Sequence, residues 1–222
     1  MLTTKFVHNY VKAKVETLAN DKLNAKLEIG ELDGDLWKEV LLTDVSVSNN
    51  EPIFTADTLY ANYNIWSFLK DVYIINEVKI AGVQSFITEN EDSVFNIQQM
   101  LKEDGENLDE QALSDPYKLS LLHVNLRDFN SKIFSPSYLP DSVLSIRNMN
   151  ASASLVSTDS LIASLSSLSF LIEEGRLPEA IKVKTSGNII EDRITLEEMV
   201  VETGRSIVKT KATANTSDST LL

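Results

Sequence analysis

Few residues of this chain could take part in a reaction. Its two histidines, His8 and His123, lie far apart in the sequence, and it contains no cysteine. A zinc site needs three or four ligands, so two distant histidines without cysteine are too few to form such a site. The serines have no base at a useful spacing and lie in no nucleophile-elbow sequence. The seven glycines form no phosphate-binding motif. The sequence therefore predicts a protein that is not an enzyme.

Carboxylates are numerous, but they are not spaced as in a metal site or a catalytic site. Asp33 and Asp35 flank Gly34 and fit a hairpin turn. The acidic run 103–116 predicts a solvated, mobile loop, because it lacks the regular carboxylate spacing of a calcium loop. A carboxylate pair for glycoside hydrolysis stays open, although nothing singles out two residues for it. We expect no catalytic residue, no metal and no cofactor.

The charge of the chain argues against nucleic acid as a partner. It carries 20 Lys and Arg against 33 Asp and Glu, a formal net charge of −13, and such a surface repels phosphate backbones. No apolar run is long enough to span a bilayer, and Met1 leads into a polar segment without a signal-peptide core. We expect either a cytosolic protein or one in which Met1 replaces a removed anchor.

The first element that the pattern predicts is an amphipathic helix in residues 1–24. Its apolar residues recur at helical spacing: Phe6, Val7, Tyr10, Val11, Val15 and Leu18. Lys5, Lys12, Lys14 and Lys22 lie mainly beside or opposite that face. The pattern favours a helix that caps a sheet, and the basic flanks leave open a helix on a membrane surface.

From Ala25 onward the period changes from helical to two, which predicts strands. Consecutive strands without helical crossovers indicate an antiparallel meander. The first β unit covers residues 25–102 and ends in a short helix, 94–102. After the loop at 103–116, we expect a second β unit that covers 117–222 and continues in a longer parent protein. The predicted fold is mainly β: a curved antiparallel sheet that forms an open apolar groove behind the N-terminal helix.

The groove lining is predicted from apolar residues that alternate with polar neighbours on the early strands, because the pleat sends the two sets to opposite faces. The predicted lining residues are Leu27, Ile29, Val45, Val47, Phe54, Ala56, Leu59, Ala61, Val78 and Ile80. Phe54 to Ala61 fit one face only if a bulge lies near Asp57. A closed sandwich or barrel, in which the same residues make a plain core, stays open at this point.

Several segments resemble AsmA-like proteins of the TamB type. The run from Ile29 to Val47 resembles their opening, in which a strand leads through a Gly turn into a leucine-aromatic and aspartate-valine strand. Ile65-Trp66-Ser67-Phe68-Leu69-Lys70 is similar to their aromatic-leucine turn, and Val94 to Leu101 to the short helix that follows. Thr203-Gly204-Arg205-Ser206 looks like a recurrent strand junction. The resemblance covers most of residues 27–214.

The resemblance implies a periplasmic protein that one N-terminal transmembrane helix anchors in the bacterial inner membrane. It implies a long β-groove that binds phospholipid acyl chains and carries them toward the outer membrane. For some members of that family, the implied role is outer-membrane protein assembly together with a barrel partner. This chain lacks the anchor and is far shorter than a bridge across the periplasm.

Two functions follow as predictions, from different classes. The first is a non-catalytic groove for phospholipid transport between the inner and outer membranes. The alternative is a scaffold that assists outer-membrane β-barrel assembly by strand addition at an open sheet edge. A sheet closed at both edges would exclude the scaffold.

Overall fold

The computed structural model describes residues 2–68, 70, 72–100, 118–157 and 161–215. The predicted acidic loop lies outside these residues, as does the end of the predicted short helix. The described part of that helix contains one 3-10 turn, Gln98–Met100.

The described residues form a long helix followed by one ten-stranded sheet, so the prediction of a mainly β fold with a preceding helix is confirmed. The helices are α1 (Leu2–Lys22) and α2 (Ile65–Phe68). The strands are β1 (Lys26–Asp33), β2 (Glu39–Asn49), β3 (Glu51–Tyr63), β4 (Val72–Thr88), β5 (Lys118–Phe134), β6 (Val143–Ser157), β7 (Leu161–Glu174), β8 (Ile181–Ile190), β9 (Arg193–Glu202) and β10 (Ile207–Asn215).

The strands lie side by side in chain order, with β1 and β10 at the two edges. Every neighbouring pair is antiparallel except β4 and β5, which are parallel. The sheet is therefore mixed, where the sequence predicted an antiparallel one. The physical reason is the segment 89–117, which is long enough to return the chain to the end where β4 began.

Residues that face each other across the strands form rows, and apolar rows alternate with polar ones. One polar row runs through Leu41, Tyr60, Lys79, Asn125, Ser152 and Ser167. Apolar rows lie to either side of it. Because successive residues of a strand point to opposite faces, one face of the sheet is mainly apolar and the other mainly polar.

A line of irregular residues crosses the first four strands and shifts this alternation. Asp57 faces Asp44 on β2 and Gly82 on β4, and both neighbours have positive φ, 51° and 66°. A Cβ at Gly82 would lie 2.0 Å from Asp57 Oδ2, so only glycine fits this close approach. On β1, Ile29 and Leu32 are both buried although they are three residues apart. The irregularity predicted near Asp57 therefore keeps apolar residues on one face.

Helix α1 lies along the edge strand β1 and satisfies part of its open backbone edge. The Leu27 N–H donates to Asn20 Oδ1 over 2.6 Å, and Asn20 Nδ2 donates to the Leu27 carbonyl over 3.3 Å. The Ile29 N–H donates to Glu16 Oε1 over 2.8 Å. The predicted capping helix is present, but polar side chains make these contacts. Exposed strand edges invite pairing with other chains, and this edge is covered.

The densest apolar packing lies near the end of α1. Ala25, Val47 and Ile53 form a buried cluster. Leu23, Leu27, Phe54 and Met100 pack against it. Met100 belongs to the segment that crosses from β4 to β5, and its carbonyl accepts a hydrogen bond of 2.7 Å from the Asn24 N–H. The crossover therefore covers the apolar face at this corner of the sheet.

Candidate functional site

The apolar face carries a continuous row across nine strands, which we call the central row. Its members are apolar or glycine throughout: Val40, Ala61, Val78, Val124, Ala153, Leu165, Gly187, Leu196 and Ala212. A second row, the flanking row, contains Tyr63, Ile75, Leu121, Leu155, Ala163, Ile189, Ile194 and Ala214. Such rows run perpendicular to the strands, so they form the floor of a trough along the sheet.

The predicted lining residues all lie in apolar rows of the early strands, and they differ in exposure. Ile29, Val45, Val47 and Ala56 are buried, with exposures from 2% to 7%. The other six are half-buried: Leu27, Phe54, Leu59, Ala61, Val78 and Ile80. Leu59 pairs with Ile80, and Ala61 with Val78. Ala61 and Val78 belong to the central row, whereas the buried members lie closer to the covered corner.

An open depression of the apolar face lies in the second β unit, whereas the predicted lining residues lie in the first. A depression of about 460 Å³ spans β5 to β9. Its apolar lining comes from the central and flanking rows: Leu121, Val124, Ala153, Leu155, Ala163, Leu165, Gly187, Ile189, Ile194 and Leu196. The signal for these residues was present in the sequence, because Leu and Ala alternate with small serines between 151 and 169.

Gly187 is part of the lining of this depression and lies between Leu165 and Leu196 in the central row. A Cβ there would lie 2.5 Å from the Thr195 carbonyl oxygen, so the strands approach too closely for a side chain. The register of β8 shifts beside it, between Ser186 and Gly187. The close approach therefore requires glycine at this position of the floor.

The dimensions of the floor suit hydrocarbon chains. Neighbouring strands lie about 4.8 Å apart, so five strands from β5 to β9 cover roughly 20 Å. The hydrocarbon core of a bilayer is two chains deep and about 30 Å thick, so one acyl chain covers roughly 15 Å. The open floor could thus take one chain along its length without a specific polar contact.

The side chains behind the trough are small and neutral. The row beside the central and flanking rows contains Ser154, Ser164, Asn188, Thr195 and Thr213. By strand alternation these residues point to the opposite face. Their polar groups can be hydrated on that face, and they place no charge in the floor of the trough.

Aromatic residues gather where the trough meets one end of the sheet. The two tryptophans, Trp37 and Trp66, are 67% and 68% exposed and line a common depression of about 420 Å³ together with Tyr63. Tyr63 belongs to the flanking row, and its ring stacks on Phe68 with centroids 5.8 Å apart. The Tyr63 hydroxyl donates to the Leu36 carbonyl over 2.6 Å. Its burial raises the pKa of this hydroxyl.

The residues considered for chemistry do not come together. His123 is exposed on β5, and His8 is buried on α1, where its Nδ1 lies 3.8 Å from Asp33 Oδ1. Among the described residues, no group of three histidine or acidic side chains is arranged to hold a metal ion. The Asp33–Asp35 pair takes part in turn hydrogen bonds: Asp33 Oδ1 accepts from the Gly34 N–H over 2.8 Å.

Comparison with known proteins adds no relative. No protein-family model matches the sequence, and no curated protein matches it. In the part of the chain that the structure describes, no helix is long and apolar enough to cross a membrane.

Proposed function

We propose that this chain is a non-catalytic segment that holds phospholipid acyl chains in the apolar trough of its sheet. The observation that carries the proposal is the open depression on β5 to β9, where two adjacent apolar rows are left accessible. Concave surfaces lined mainly by apolar side chains are the usual form of a binding site for an apolar ligand.

The free energy of such binding comes from hydrocarbon burial. Each CH₂ group removed from water contributes about 0.8 kcal/mol, so a chain needs no specific hydrogen bond to stay in the trough. The rows continue from strand to strand with little change in chemistry, so the energy of a chain changes little as it slides. A polar headgroup would stay at the wet edge. Direction would have to come from outside this segment.

The resemblance to AsmA-like proteins supports a cellular setting for the proposal. In that setting the chain is part of a periplasmic protein anchored in the inner membrane, and its trough carries phospholipid toward the outer membrane. The aromatic end of the sheet, with Trp37 and Trp66, would suit a position near lipid, because tryptophan favours the interface between apolar and wet surroundings.

The test is a charge placed in the trough. Leu165 lies in the central row between Ala153 and Gly187, and it is half-buried. Leu165→Asp should leave the protein folded, because the open side of the trough can hydrate the carboxylate. It should remove most bound lipid, because an unpaired charge against acyl chains is strongly disfavoured. Bound lipid is measured by mass spectrometry of the purified protein after incubation with phospholipid vesicles.

The matched control is Ser167→Asp on the same strand. Ser167 is exposed and faces Ser152 in the polar row, so its carboxylate points away from the apolar floor. This variant should bind lipid as the parent does. Equal lipid occupancy in a folded Leu165→Asp variant would reject the proposal.

A second function has one observation in its favour. The edge strand β10 pairs with β9 on one side, and within the described residues no strand or helix covers its other side. An open edge of this kind can accept a strand from a partner, as the scaffold alternative requires. The Thr203–Ser206 pair exchanges both of its hydrogen bonds, so the alternation along the ladder turns the Lys209 N–H away from β9. Binding of an unfolded outer-membrane β-barrel protein should then fall when Lys209→Pro removes this edge donor. If the variant binds the unfolded protein as the parent does, the edge of β10 does not accept a partner strand.

A further inference from the structure

Helix α1 turns its apolar side toward solvent. Phe6, Tyr10 and Leu18 are 74%, 58% and 65% exposed, and Val7 is 47% exposed. A helix that packs on a sheet normally buries such residues and exposes its polar ones. The arrangement here is the reverse. We call these four residues the outer face of α1.

Polar contacts to β1 fix this orientation. His8, Lys12, Glu16 and Asn20 recur every four residues and so share one side of the helix. Lys12 Nζ donates to the Gly30 carbonyl over 2.8 Å, and Glu16 and Asn20 bond the β1 backbone as described above. His8 is buried, with 8% exposure. With this side of the helix bonded to the strand edge, rotation of the outer face toward the sheet would break all of these contacts.

The charge of α1 differs in sign from that of the whole chain. The helix contains four lysines, Lys5, Lys12, Lys14 and Lys22, against Glu16 and Asp21, whereas the chain as a whole carries a net charge of −13. Glu16 is turned toward β1 by its bond to Ile29. Lys14 is exposed and lies near the outer face by helical spacing. Lys22 is also exposed near this face, and so is Asp21, three residues after Leu18. The outer face is therefore apolar with a small net positive charge beside it.

From this geometry we infer that the outer face of α1 docks flat on a phospholipid surface that contains anionic lipid. Apolar residues enter the boundary between headgroups and acyl chains, and flanking lysines attract anionic headgroups and extend toward them. A second copy of the chain is a poorer occupant, because it would place two positively charged helices against each other. The inferred surface is separate from the trough, which lies on the sheet, so the two can be tested apart.

The experiment is co-sedimentation of the intact chain with vesicles. The parent should bind vesicles of phosphatidylcholine mixed with phosphatidylglycerol, and bind less to phosphatidylcholine alone or at high salt. The double variant Phe6→Ser, Leu18→Ser should bind the mixed vesicles roughly tenfold more weakly, since two partly exposed apolar side chains are lost from the contact. Both residues are exposed, so the variant should melt as the parent does.

The matched control changes two exposed apolar residues at the opposite edge of the sheet. Ile207 and Val208 on β10 are 65% and 59% exposed, and Ile207→Ser, Val208→Ser should bind vesicles as the parent does. Leu165→Asp should also bind vesicles normally, whether or not it holds lipid in the trough. Undiminished binding by the α1 double variant would overturn the inference. A parent dimer that this variant turns into a monomer would show that a second copy occupies the face.

Discussion

One apolar row on the first four strands of the sheet is buried, whereas two apolar rows on the later strands line an open depression. On β1 to β4, Ile29, Val45, Ala56 and Val83 form one row with exposures between 1% and 3%. On β5 to β9, the central and flanking rows line an open depression of about 460 Å³. The same alternation of apolar and polar residues thus produces a closed core in one region and an accessible trough in the other.

The difference shows that strand pattern alone does not decide between core and trough. Both regions place aliphatic residues on one face and polar residues on the other. At the first corner, Met100 of the crossover and Leu23 after α1 pack over the Val47 cluster. At this corner, the residues that pack over the face therefore decide its exposure.

The largest difference is expected for a charge placed on each region. Val83 is 1% exposed, so Val83→Asp buries a carboxylate that nothing hydrates, at a cost of at least about 3 kcal/mol. For a chain of this size that lowers the melting temperature by roughly 10 °C or abolishes the transition. Gln84→Asp, at the exposed neighbouring position, should melt as the parent does. A Val83→Asp variant that melts normally would show that the first region is also open.

A smaller difference is expected when a valine is truncated to alanine in each region and the losses in the free energy of unfolding are compared. Val45 is 3% exposed, and Val45→Ala should cost about 2 kcal/mol through lost burial and an unfilled cavity. Val124 lies half-buried in the central row, so Val124→Ala should cost less than about 1 kcal/mol in the absence of lipid. Denaturant titration of both variants measures the two free energies of unfolding. Equal costs would remove the distinction between core and trough.

The smallest effect concerns the junction between the regions, where Glu89 follows β4. This residue is buried, and its Oε2 accepts hydrogen bonds from Ser135 Oγ over 2.6 Å and from the Ser137 N–H over 3.2 Å. The bonds from Ser135 and Ser137 lower the pKa of Glu89. A lowered folded-state pKa stabilises the fold above the pKa of an unfolded glutamate, about 4.3, and this contribution is lost as the pH falls through the folded value.

Melting temperatures measured from neutral pH down into that acid range should therefore fall for the parent. Glu89→Gln should fall less steeply, because it lacks the titrating carboxylate, although Glu174 will still titrate. The pKa of Glu174 is lowered in the same direction by hydrogen bonds from Ser142 and Arg176. Glu91→Gln, at an exposed position nearby, should follow the parent. Identical acid profiles for Glu89→Gln and the parent would show that Glu89 does not stabilise the junction.

Much of the fold could be predicted from local signals. The change of period at Ala25 separates α1 from the strands, and the alternation on the early strands assigns their apolar face. The irregularity near Asp57 could be predicted because Phe54 and Ala61 fit one face only if the alternation shifts between them. These features depend on neighbouring residues, which a sequence displays directly.

The features that could not be predicted depend on contacts between distant residues. The parallel pairing of β4 and β5 joins residues that are far apart in the sequence, such as Val72 and Lys118. The reversed orientation of α1 depends on hydrogen bonds that Glu16 and Asn20 accept from the backbone of β1, and these outweigh the apolar pattern of the helix. The lining residues were predicted on the early strands, and nothing in the alternation of those strands shows that Met100 would pack over their corner.

The most direct test of the proposed trough is to locate a bound acyl chain on the protein. A phospholipid with a photoreactive group in its acyl chain is bound to the folded protein, irradiated, and the attachment sites are mapped by peptide mass spectrometry. The account predicts attachment within β5 to β9, at central-row and flanking-row positions such as Leu155, Leu165, Ile189 and Leu196. Attachment confined to α1, or spread evenly over both faces of the sheet, would contradict it.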